Sequence, residues 1–396
     1  MRYEFVEANP SAKIKVFGVG GAGNNAVNNM IAAGLKGVDF ISTNTDKQAL
    51  DVSSCLNKLQ LGANMTHGLG SGADPEKGAM AAEESVEVIR AAAEDADMVF
   101  ITAGMGGGTG TGASPIIARE SKNLGALTVG IVTKPFDFEG EKRMKTAMLG
   151  IEELKKEVDT LLIIPNQRLK AMGNKDTSFL ELMKKADDVL LYAVKGISDL
   201  IIIPGFINLD FADVRKVMEK MGTAIMGTGT ASGENKAIEA AQTAINSPLL
   251  EDISINQAKG VLINITGSTK MSMDEISEAS TFVKDEVHAG AEIIWGMVFD
   301  ETMGDEIRIT VIATGIGDKK ERKVINLRGI NSENANEDWH STAKEDLDKP
   351  TFQRRLANDD KYQQSYDLNP AKKGIFHRVF QKDDLDYPTF LRKQAD

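Results

Sequence analysis

The sequence predicts an α/β protein, with a doubly wound, Rossmann-like sheet in the first half and a smaller α+β domain in the second. Residues 13–133 interleave apolar, β-branched runs such as "KIKVFGVG", "DMVFITA" and "ALTVGIVT" with helical patterns. Such runs are typical of parallel strands that are covered on both faces. In the second half, only "ETMGD" separates "AEIIWGMVFD" from "EIRITVIATG". This closeness predicts a hairpin, and therefore a mixed or antiparallel sheet.

The elements of the first half follow one another in regular order. The strand "KIKVFGVG" leads into a helix over 22–35, and the strand "VDFIST" leads into a short helix over "DKQALDV". Pro75 opens a long helix that extends to residue 96, with the proline in the first turn, where it is tolerated. The strands "DMVFITA", "ALTVGIVT" and "TLLIIP" follow, and a helix over 140–158 precedes the last of them.

A wide apolar stripe predicts one long helix over 178–202, between the two halves. Apolar residues recur there three or four positions apart, which is the spacing of one face of an α-helix. Because the stripe is wide, we expect this helix to pack between two domains rather than on a surface. The second half is then predicted to contain helices at 211–221, 234–246 and 273–286, with the strands "TAIMGTGTA" and "AKGVLINIT" between them.

Composition predicts an ordinary globular body and excludes several classes of protein. The chain has 396 residues and a net charge of −12, and the acidic excess lies before residue 317, so no nucleic-acid partner is expected. Lys195 and Asp199 interrupt the longest apolar run, and no signal-peptide pattern is present. We therefore expect no direct membrane insertion. The single cysteine, Cys55, cannot form an internal disulfide, which favours a cytoplasmic location.

The polar, charge-mixed sequence of 317–382 predicts a disordered linker, because too few apolar residues are present to offset the entropy lost on ordering. It contains one copy of an internal repeat. The segments "EDLDKPTFQRR" at 345–355 and "DDLDYPTFLRK" at 383–393 share seven of eleven positions. Short motifs with one or two apolar anchors in a disordered chain usually dock onto partners. The repeat therefore suggests two docking motifs.

Three glycine-rich loops indicate a phosphate site. "GVGGAGNN" follows the first strand with the spacing G-x-G-x-x-G, "HGLGSGADPEKG" covers 67–78, and "GMGGGTGTG" covers 104–112. Each loop alone would be interpreted as a tight turn. Three of them on one edge of an open α/β sheet can surround a polyphosphate with backbone N–H groups. Neither a Walker A motif nor the guanine motif Asn-Lys-x-Asp is present, so a Ras-type GTPase is excluded.

The first glycine loop also permits an NAD(P)-dependent Rossmann oxidoreductase. That function needs an acidic residue at the end of the second strand to hold the ribose. The strand ends "ISTNT", with Asp39 at its start and Asp46 already beyond its end. The oxidoreductase alternative therefore lacks its second requirement, the acidic residue that would hold the ribose. A non-hydrolysing, nucleotide-binding structural polymer is a further alternative.

From about Ile14 to Gly315 the chain resembles the FtsZ family of bacterial, tubulin-like cell-division GTPases. "GMGGGTGTG" resembles the glycine signature that FtsZ and tubulin share, and "NTDKQAL", "VTKPFDFEGEKR", "LIIPNQRL", "GISDLI" and "NLDFADVRKVM" follow in family order. The resemblance implies the tubulin/FtsZ-like fold, with a GTPase domain, a long central helix and a smaller C-terminal domain. It also implies a self-assembling GTPase of the division ring, with GTP/GDP and Mg²⁺ as cofactors.

The patterns and the resemblance together divide the chain into six segments. The segments are a flexible N-terminal segment at 1–12, a GTP-binding domain at 13–177, a central helix and connection at 178–206, a C-terminal domain at 207–316, a disordered linker at 317–382 and a partner-binding peptide at 383–396.

The resemblance assigns nucleotide-binding residues through their positions in the family motifs. These residues are Gly20, Gly21, Ala22, Gly23, Asn24, Asn25, Gly107, Gly108, Thr109, Gly110, Glu139, Arg143, Asn166, Met183 and Asp187. Glu139 and Arg143 would flank the ribose and phosphates, although a pair of surface charges is the simpler interpretation. Asp187 would bind guanine, since a carboxylate accepts from its N1–H and its amine together; a solvated helix carboxylate is the alternative. Met183 stands where the family usually has a base-stacking phenylalanine.

Asn208, Asp210 and Asp213 are the candidate catalytic residues. Composition alone would make the two aspartates a helix N-cap and a first-turn acid. The resemblance implies instead that this loop enters the nucleotide site of the next subunit, where the carboxylates orient water and Asn208 positions it. A head-to-tail contact that does not close produces a filament. The expected partner is therefore another copy of the same chain.

The extreme C-terminus, "DDLDYPTFLRKQAD", resembles the family peptide that docks on membrane-tethering and regulatory division proteins. The residues expected to make the contact are Asp386, Pro388, Phe390 and Leu391. A linker as long as 317–382 has an average span of roughly 40–50 Å. A filament tethered in this way would lie in the cytoplasm at the division site, away from the membrane itself.

Overall fold

Ten strands and twelve α-helices lie within the residues that the computed structural model describes, which are 12–170, 177–203, 210–219, 222–250 and 255–316. The strands are Ile14–Val19 (β1), Val38–Asn44 (β2), Asn57–Gln60 (β3), Met98–Gly104 (β4), Leu127–Lys134 (β5), Thr160–Pro165 (β6), Gly222–Ala231 (β7), Gly260–Gly267 (β8), Glu292–Phe299 (β9) and Ile307–Thr314 (β10). The α-helices are Gly20–Ala32 (α1), Lys47–Asp51 (α2), Ala63–Thr66 (α3), Pro75–Glu84 (α4), Val86–Ala93 (α5), Thr109–Asn123 (α6), Glu141–Glu157 (α7), Asn166–Leu169 (α8), Phe179–Ile202 (α9), Phe211–Met218 (α10), Lys236–Ile245 (α11) and Met273–Glu286 (α12).

The first six strands form the doubly wound half that the alternating pattern predicts. They lie in the order β3-β2-β1-β4-β5-β6, and every neighbouring pair is parallel. Adjacent residues of β1 face opposite sides of the sheet. Val16 packs in a core with α1 and α9, while Phe17 packs in a second core with α4, α5, α6 and α7. The carboxyl ends of the six strands meet at one edge, which is where open α/β sheets bind their ligands.

Helix α9 packs between the two halves, as its apolar stripe predicts. A capping box fixes its start, because Ser178 Oγ accepts from the Glu181 N–H at 3.2 Å and the Glu181 carboxylate accepts from the Ser178 N–H at 2.8 Å. Its apolar face shares one core with α1 and β5 in the first half and with β8 and β10 in the second. The buried residues of this face are Ala186, Val189, Leu190, Ala193, Val194, Ile197 and Leu200.

The sheet continues without a break into the second half, because β7 pairs in parallel with β6. β10 lies between β7 and β8 and is antiparallel to both, so the mixed sheet is confirmed. The hairpin prediction is wrong: β9 pairs in parallel with β8, which separates it from β10. β10 is buried on both faces and takes an interior position, whereas the partly exposed β9 takes the edge. Residues 300–306 are long enough to cross the end of β8, a distance of about 10 Å.

The helix predicted over 75–96 is two helices, α4 and α5, which separate at Ser85. The Ser85 hydroxyl accepts a hydrogen bond from the Gly62 N–H at 2.9 Å. A serine that bonds to backbone outside its own helix favours such a break. The four-residue strand β3 and helix α3 escaped the sequence patterns, since four residues are too few to show a period.

Several predicted features lie outside the described residues. They are residues 1–11 of the N-terminal segment, the candidate catalytic residue Asn208, the linker 317–382 and the C-terminal peptide 383–396. The upstream repeat 345–355 lies within that linker. Of the helices in the part of the chain that the structure describes, none combines the length and apolarity that a membrane span requires.

Candidate functional site

A cavity of about 440 Å³ lies at the carboxyl edge of the parallel strands. Loops that follow β1, β2, β4, β5 and β6 form its walls, together with residues 69–73 and the first turns of α9. The nucleotide-binding residues predicted from the sequence that line this cavity are Gly20, Gly21, Ala22, Gly107, Gly108, Thr109, Gly110, Glu139, Arg143, Asn166 and Met183. The structure therefore brings together residues that are up to 163 positions apart in a single concave site.

The strand order distinguishes the two ends of the cavity. Asn166 follows β6 and Met183 lies on α9, so they mark one end, while Thr45 and Asp46 follow β2 and mark the other. In the sheet, β5, β4 and β1 lie between β6 and β2. The two ends are therefore four strand spacings, or about 19 Å, apart. That length suits an extended nucleoside triphosphate, with its base at the β6 end and its terminal phosphate at the β2 end.

The middle of the cavity offers backbone N–H groups rather than cationic side chains. Helices α1 and α6 begin here, at Gly20 and Thr109, and neither has a side-chain cap or an acidic residue in its first turn. Their free N–H groups and dipoles favour a bound anion. Among the described residues of the lining, Arg143 is the one lysine or arginine, and its Nε lies 3.1 Å from Glu139 Oε2. A polyphosphate would be held here chiefly by backbone.

The glycines of the cavity are of two kinds. Gly108 is required by packing, because a Cβ there would lie 2.1 Å from Ser71 Oγ. Gly21 and Gly107 differ, because a Cβ on either one would meet no heavy atom within 4 Å. Protein packing does not explain why these two positions lack a side chain. Both glycines line the cavity, so space for a ligand would explain it.

The end of the cavity near β6 has the chemistry to bind a base. Asn166 Oδ1 is buried and has no hydrogen-bond partner among the described residues, so it can accept from a ligand. Asp187 is not in the lining itself but lies one turn beyond Met183, on the same face of α9. Burial and the neighbouring Asp188 carboxylate raise the pKa of Asp187 to about 6. A carboxylate in this setting would be stabilised by a pair of ligand N–H donors.

Three predicted nucleotide residues lie on α1 and are not in the cavity lining. A Cβ on Gly23 would lie 2.4 Å from a carbonyl oxygen of β4, so this glycine allows the helix to approach the strand. Asn24 is buried, and its amide nitrogen, in the orientation that its neighbours require, donates to the Gly18 and Gly20 carbonyls at 2.8 and 3.1 Å. Asn25 is exposed. Gly23 and Asn24 therefore fix the shape of the first glycine loop.

Thr45, Ser71 and Thr109 form a hydroxyl cluster that the sequence did not predict. Thr109 Oγ1 lies 2.6 Å from Thr45 Oγ1 and 3.1 Å from Ser71 Oγ. All three residues are buried and line the cavity near its β2 end. The sequence does show hydroxyl residues in the loop segments "ISTNTDKQAL" and "GLGSGAD", which contain Thr45 and Ser71. Only the fold shows that residues 64 and 38 positions from Thr109 along the chain meet it.

Helix α10 lies at the opposite edge of the sheet from the cavity. The Arg215 Nη2 donates to the carbonyls of Asp97 and Gly125, at 3.4 Å in each case, and these two residues precede β4 and β5. Asp210 and Asp213 at the start of α10 are both exposed, and Asp210 makes no capping hydrogen bond. A seven-residue strand such as β4 is about 23 Å long. These carboxylates are therefore too far away to reach the cavity of their own chain.

The cavity fits a metal ion that arrives with a nucleotide rather than one held by the protein alone. Within the described ranges, no three His, Cys, Asp or Glu side chains form a metal-ligand cluster. Magnesium bound with nucleotides takes most of its ligands from phosphate and water and one or two from carboxylates. The lining offers two carboxylates, Asp46 and Glu139. Asp46 Oδ1 accepts from the N–H groups of Gln48 and Ala49 at 2.9 and 3.3 Å, which holds the other oxygen in a fixed direction.

These features define a nucleotide-binding protein of the tubulin-like class, with a glycine-rich phosphate cradle and no phosphate-binding lysine. Comparison with protein families agrees with that class. Residues 13–174 match the GTPase domain of the Tubulin/FtsZ family, and residues 222–317 match the C-terminal domain of the FtsZ family. The chain belongs to the FtsZ family. The bound nucleotide is therefore GTP or GDP, and neither the oxidoreductase nor the non-hydrolysing polymer is supported.

Individual relatives match about three quarters of the chain. The cell division protein FtsZ of Rickettsia felis is 56% identical over 304 residues, which are 76% of this chain and 67% of the relative. The Magnetospirillum gryphiswaldense protein of the same name is 55% identical over 79% of this chain and 56% of its own length. An empty FtsZ dimer from M. jannaschii superposes with a TM-score of 0.74 at 44% identity, covering 77% of this chain and 89% of that one. A CetZ2 protofilament from Haloferax volcanii, at 21% identity, a TM-score of 0.65, and 78% and 94% coverage, shares the fold.

Proposed function

We propose that this chain hydrolyses GTP at the contact between successive copies of itself, in head-to-tail filaments that form the contractile ring at the division site. The separation of the site into two halves carries this proposal. The nucleotide cavity lies at the carboxyl edge of the sheet, and Asp210 and Asp213 lie at the amino edge. A second copy stacked in the same orientation would bring its α10 over the cavity of the first. Such a contact does not close on itself and extends into a filament.

Each part of the cavity has a proposed role in binding GTP. Asn166 and Asp187 accept from the guanine edge, and Met183 packs its thioether against the base. Glu139 and Arg143, which pair with each other, flank the ribose and phosphates. The β- and γ-phosphates are held by the backbone of the loops that contain Gly20, Gly21, Ala22, Gly107, Gly108, Thr109 and Gly110. Gly23, Asn24 and Asn25 act from α1, the first two by fixing the loop.

Asp46 is the cavity carboxylate that would hold Mg²⁺ when it binds with the nucleotide, because it lies at the phosphate end, whereas the Phe136 N–H and Arg143 engage the two oxygens of Glu139. The ion would supply positive charge against the phosphates, in a cavity that has one guanidinium. Phosphoryl transfer depends mainly on positioning and charge stabilisation. Catalysis therefore also requires the protein to position a water molecule for attack on the γ-phosphate. We assign that task to Asp210 and Asp213 of the next copy, with Asn208 beside them.

The proposed assembly is linked to the membrane through the C-terminal peptide 383–396. Asp386, Pro388, Phe390 and Leu391 would bind membrane-tethering and regulatory division proteins, and the linker 317–382 would allow the filament to lie in the cytoplasm at the division site. The support for this step is the sequence motif itself and the name, cell division protein FtsZ, that the relatives carry.

The rate of hydrolysis per molecule should depend steeply on protein concentration. A site completed by a second copy is inactive in a dilute solution of single chains, so we expect almost no GTPase activity below a threshold concentration and a rising rate above it. Phosphate release at constant GTP and a series of protein concentrations measures this, with light scattering as the record of assembly. A rate per molecule that is unchanged by dilution would contradict the shared site.

The affinity for guanine nucleotides, GDP as well as GTP, should fall as the pH is lowered through 6. The pKa of Asp187 is raised from its usual value to about 6 by burial and by Asp188, so the carboxylate is mostly ionised at pH 7 and mostly protonated at pH 5. Only the ionised form accepts from both guanine donors, so affinity should be steady above pH 7 and weaken by about tenfold per unit below pH 6. Titration calorimetry with GDP at pH 5 to 8 measures this.

Asp187→Asn is the control for that pH dependence, because it mimics the protonated side chain at every pH. The variant should bind GDP weakly and without the extra loss of affinity below pH 6, although protonation of the phosphates affects both proteins alike. If Asp187→Asn and the original chain lose affinity in parallel, the assignment of Asp187 to the base is wrong.

A further inference from the structure

The hydroxyl cluster of Thr45, Ser71 and Thr109 is placed to contact the last phosphate of a nucleotide. It lies at the β2 end of the cavity, where Thr45 follows β2, four strand spacings or about 19 Å from the β6 strand that Asn166 follows at the base end. A triphosphate that starts at the base end reaches further along this line than a diphosphate does. The cluster therefore lies where GTP and GDP differ. This inference rests on the proposed function, in which GTP occupies the cavity.

The number of protons in the cluster leaves one donor for a ligand. Each hydroxyl has one proton to donate and can accept two hydrogen bonds. The two contacts, Thr45 with Thr109 and Ser71 with Thr109, use two of the three protons. Among the described residues, these hydroxyl groups have no other hydrogen-bond partner. One O–H donor is consequently left over, in a buried group at the wall of the cavity.

The loop at 67–73 offers further donors at the same end. Its backbone has positive φ at His67, Gly68, Gly70, Gly72 and Ala73, with residues of ordinary φ between them. Frequent turns of this kind leave backbone N–H groups without partners inside the loop, and such groups can bind an anion. Within the described part of the chain, the N–H groups of residues 71, 72 and 73 have no hydrogen-bond acceptor.

Backbone hydrogen bonds fix this loop against the segment that carries Thr45. The Gly70 N–H donates to the Thr45 carbonyl at 3.2 Å, and the Lys47 N–H donates to the Gly68 carbonyl at 3.0 Å. The Thr66 hydroxyl lies between two carbonyl acceptors, that of Gly62 at 2.9 Å and that of Thr45 at 3.2 Å, which share its one proton. The side chains of the cluster then join these two segments to the first residue of α6. Backbone hydrogen bonds thus hold two of the loops together, and two hydroxyl contacts join them to the third.

We propose that Thr45 and Ser71 are positioning residues that donate to Thr109 and so aim its hydroxyl proton at the γ-phosphate of GTP. A phosphate oxygen is a strong acceptor, so it draws the free proton of the cluster to Thr109 and fixes the direction of both other hydrogen bonds. A diphosphate has no γ-phosphate to accept this proton, so it leaves the direction open. The cluster therefore sets the preference of the cavity for GTP over GDP.

Replacement of Thr45 by valine, which keeps the shape and removes the hydroxyl, tests this role. GTP and GDP affinities are measured separately by titration calorimetry, on protein below the assembly threshold. Thr45→Val should lower the affinity for GTP by about 10-fold, which is the effect of one hydrogen bond to a charged group. It should lower the affinity for GDP by less than about twofold. Thr45→Ser should keep the original preference, and Ser71→Ala should lower it as Thr45→Val does.

Ser121→Ala is the matched control, because Ser121 is also a buried hydroxyl residue on α6, but its hydroxyl donates to the Ile117 carbonyl within the helix, at 2.8 Å. It should leave the affinity for both nucleotides unchanged. Equal loss of GTP and GDP affinity in Thr45→Val and Ser71→Ala, or no loss in either variant, would overturn the proposal. If the original chain itself bound no GTP, the proposed function would fail instead, so the two failures can be told apart.

Discussion

Asp213→Ala is expected to lower the GTPase rate of assembled protein by on the order of 10²–10⁴-fold and to leave GTP affinity unchanged. The side chain is exposed at the start of α10, at the opposite edge of the sheet from the nucleotide cavity. Its removal therefore cannot disturb nucleotide binding within the same chain. The loss should appear in kcat and not in the affinity of single chains for GTP, measured below the assembly threshold.

The matched control is Asp274→Ala. Asp274 is likewise an exposed acidic residue in the first turn of a helix, α12, so both substitutions remove the same favourable interaction with a helix dipole. If Asp213 only stabilised its helix, the two variants would lose a few tenths of a kcal/mol of stability and retain activity alike. Equal GTPase rates in the two variants, at equal assembly, would therefore refute a catalytic role for Asp213.

The parts of the fold that the sequence predicted are those with a local pattern. Runs of apolar, β-branched residues identified β1, β4 and β5, and a stripe of three- and four-residue spacing identified α9. The order of β9 and β10 could not be obtained in this way. A connection of seven residues, 300–306, is compatible both with a hairpin and with a crossing of β8. The choice depends on how β10 is buried, which is a property of the whole sheet.

In the site, too, the residues that the sequence predicted are those with a local sequence pattern. The glycine loops were visible because glycine is rarely so dense without a reason, and they supplied most of the predicted residues of the cavity. Thr45 and Ser71 were not predicted, because a hydroxyl residue in a loop has no distinctive pattern until its partner is known. Asn24 was predicted as a nucleotide residue from its position, and its contacts to two loop carbonyls became visible only in the structure.

Gly107→Val is expected to weaken GTP binding by about 10–100-fold while leaving the fold as stable as before. A Cβ at this position meets no heavy atom within 4 Å, so the protein itself has room for the side chain. Because Gly107 lines the cavity, we expect the added atoms to take up space that the phosphates need, and overpacking of this kind typically costs about 1–3 kcal/mol. Loss of a flexible glycine would, if anything, raise the free energy of unfolding slightly. Calorimetric titration with GTP and thermal unfolding measure the two effects.

Two other glycines show whether the effect is specific to the cradle. Gly290→Val, in an exposed loop before β9, should leave GTP binding unchanged. Its Cβ would lie 3.2 Å from His288 Nδ1, which accepts from the Gly290 N–H at 2.9 Å, so any loss of stability should be no larger than that of one exposed hydrogen bond. Gly108→Ala should destabilise the protein, because its Cβ would lie 2.1 Å from Ser71 Oγ and 2.8 Å from the Asp74 nitrogen. If Gly107→Val bound GTP normally, the phosphates would have to lie elsewhere in the cavity.

A mixture of the Gly107→Val and Asp213→Ala proteins tests whether each active site is built from two copies of the chain. Gly107→Val has an intact α10 but a cavity that binds GTP weakly, and Asp213→Ala has an intact cavity but lacks the carboxylate. If each active site is built from two copies, GTP bound to Asp213→Ala meets the Asp213 of a Gly107→Val neighbour. The mixture should then recover a rate well above that of either variant alone, with a maximum near equal proportions. A rate equal to the sum of the separate variants, in a mixture that demonstrably assembles, would show that catalysis does not pass between copies.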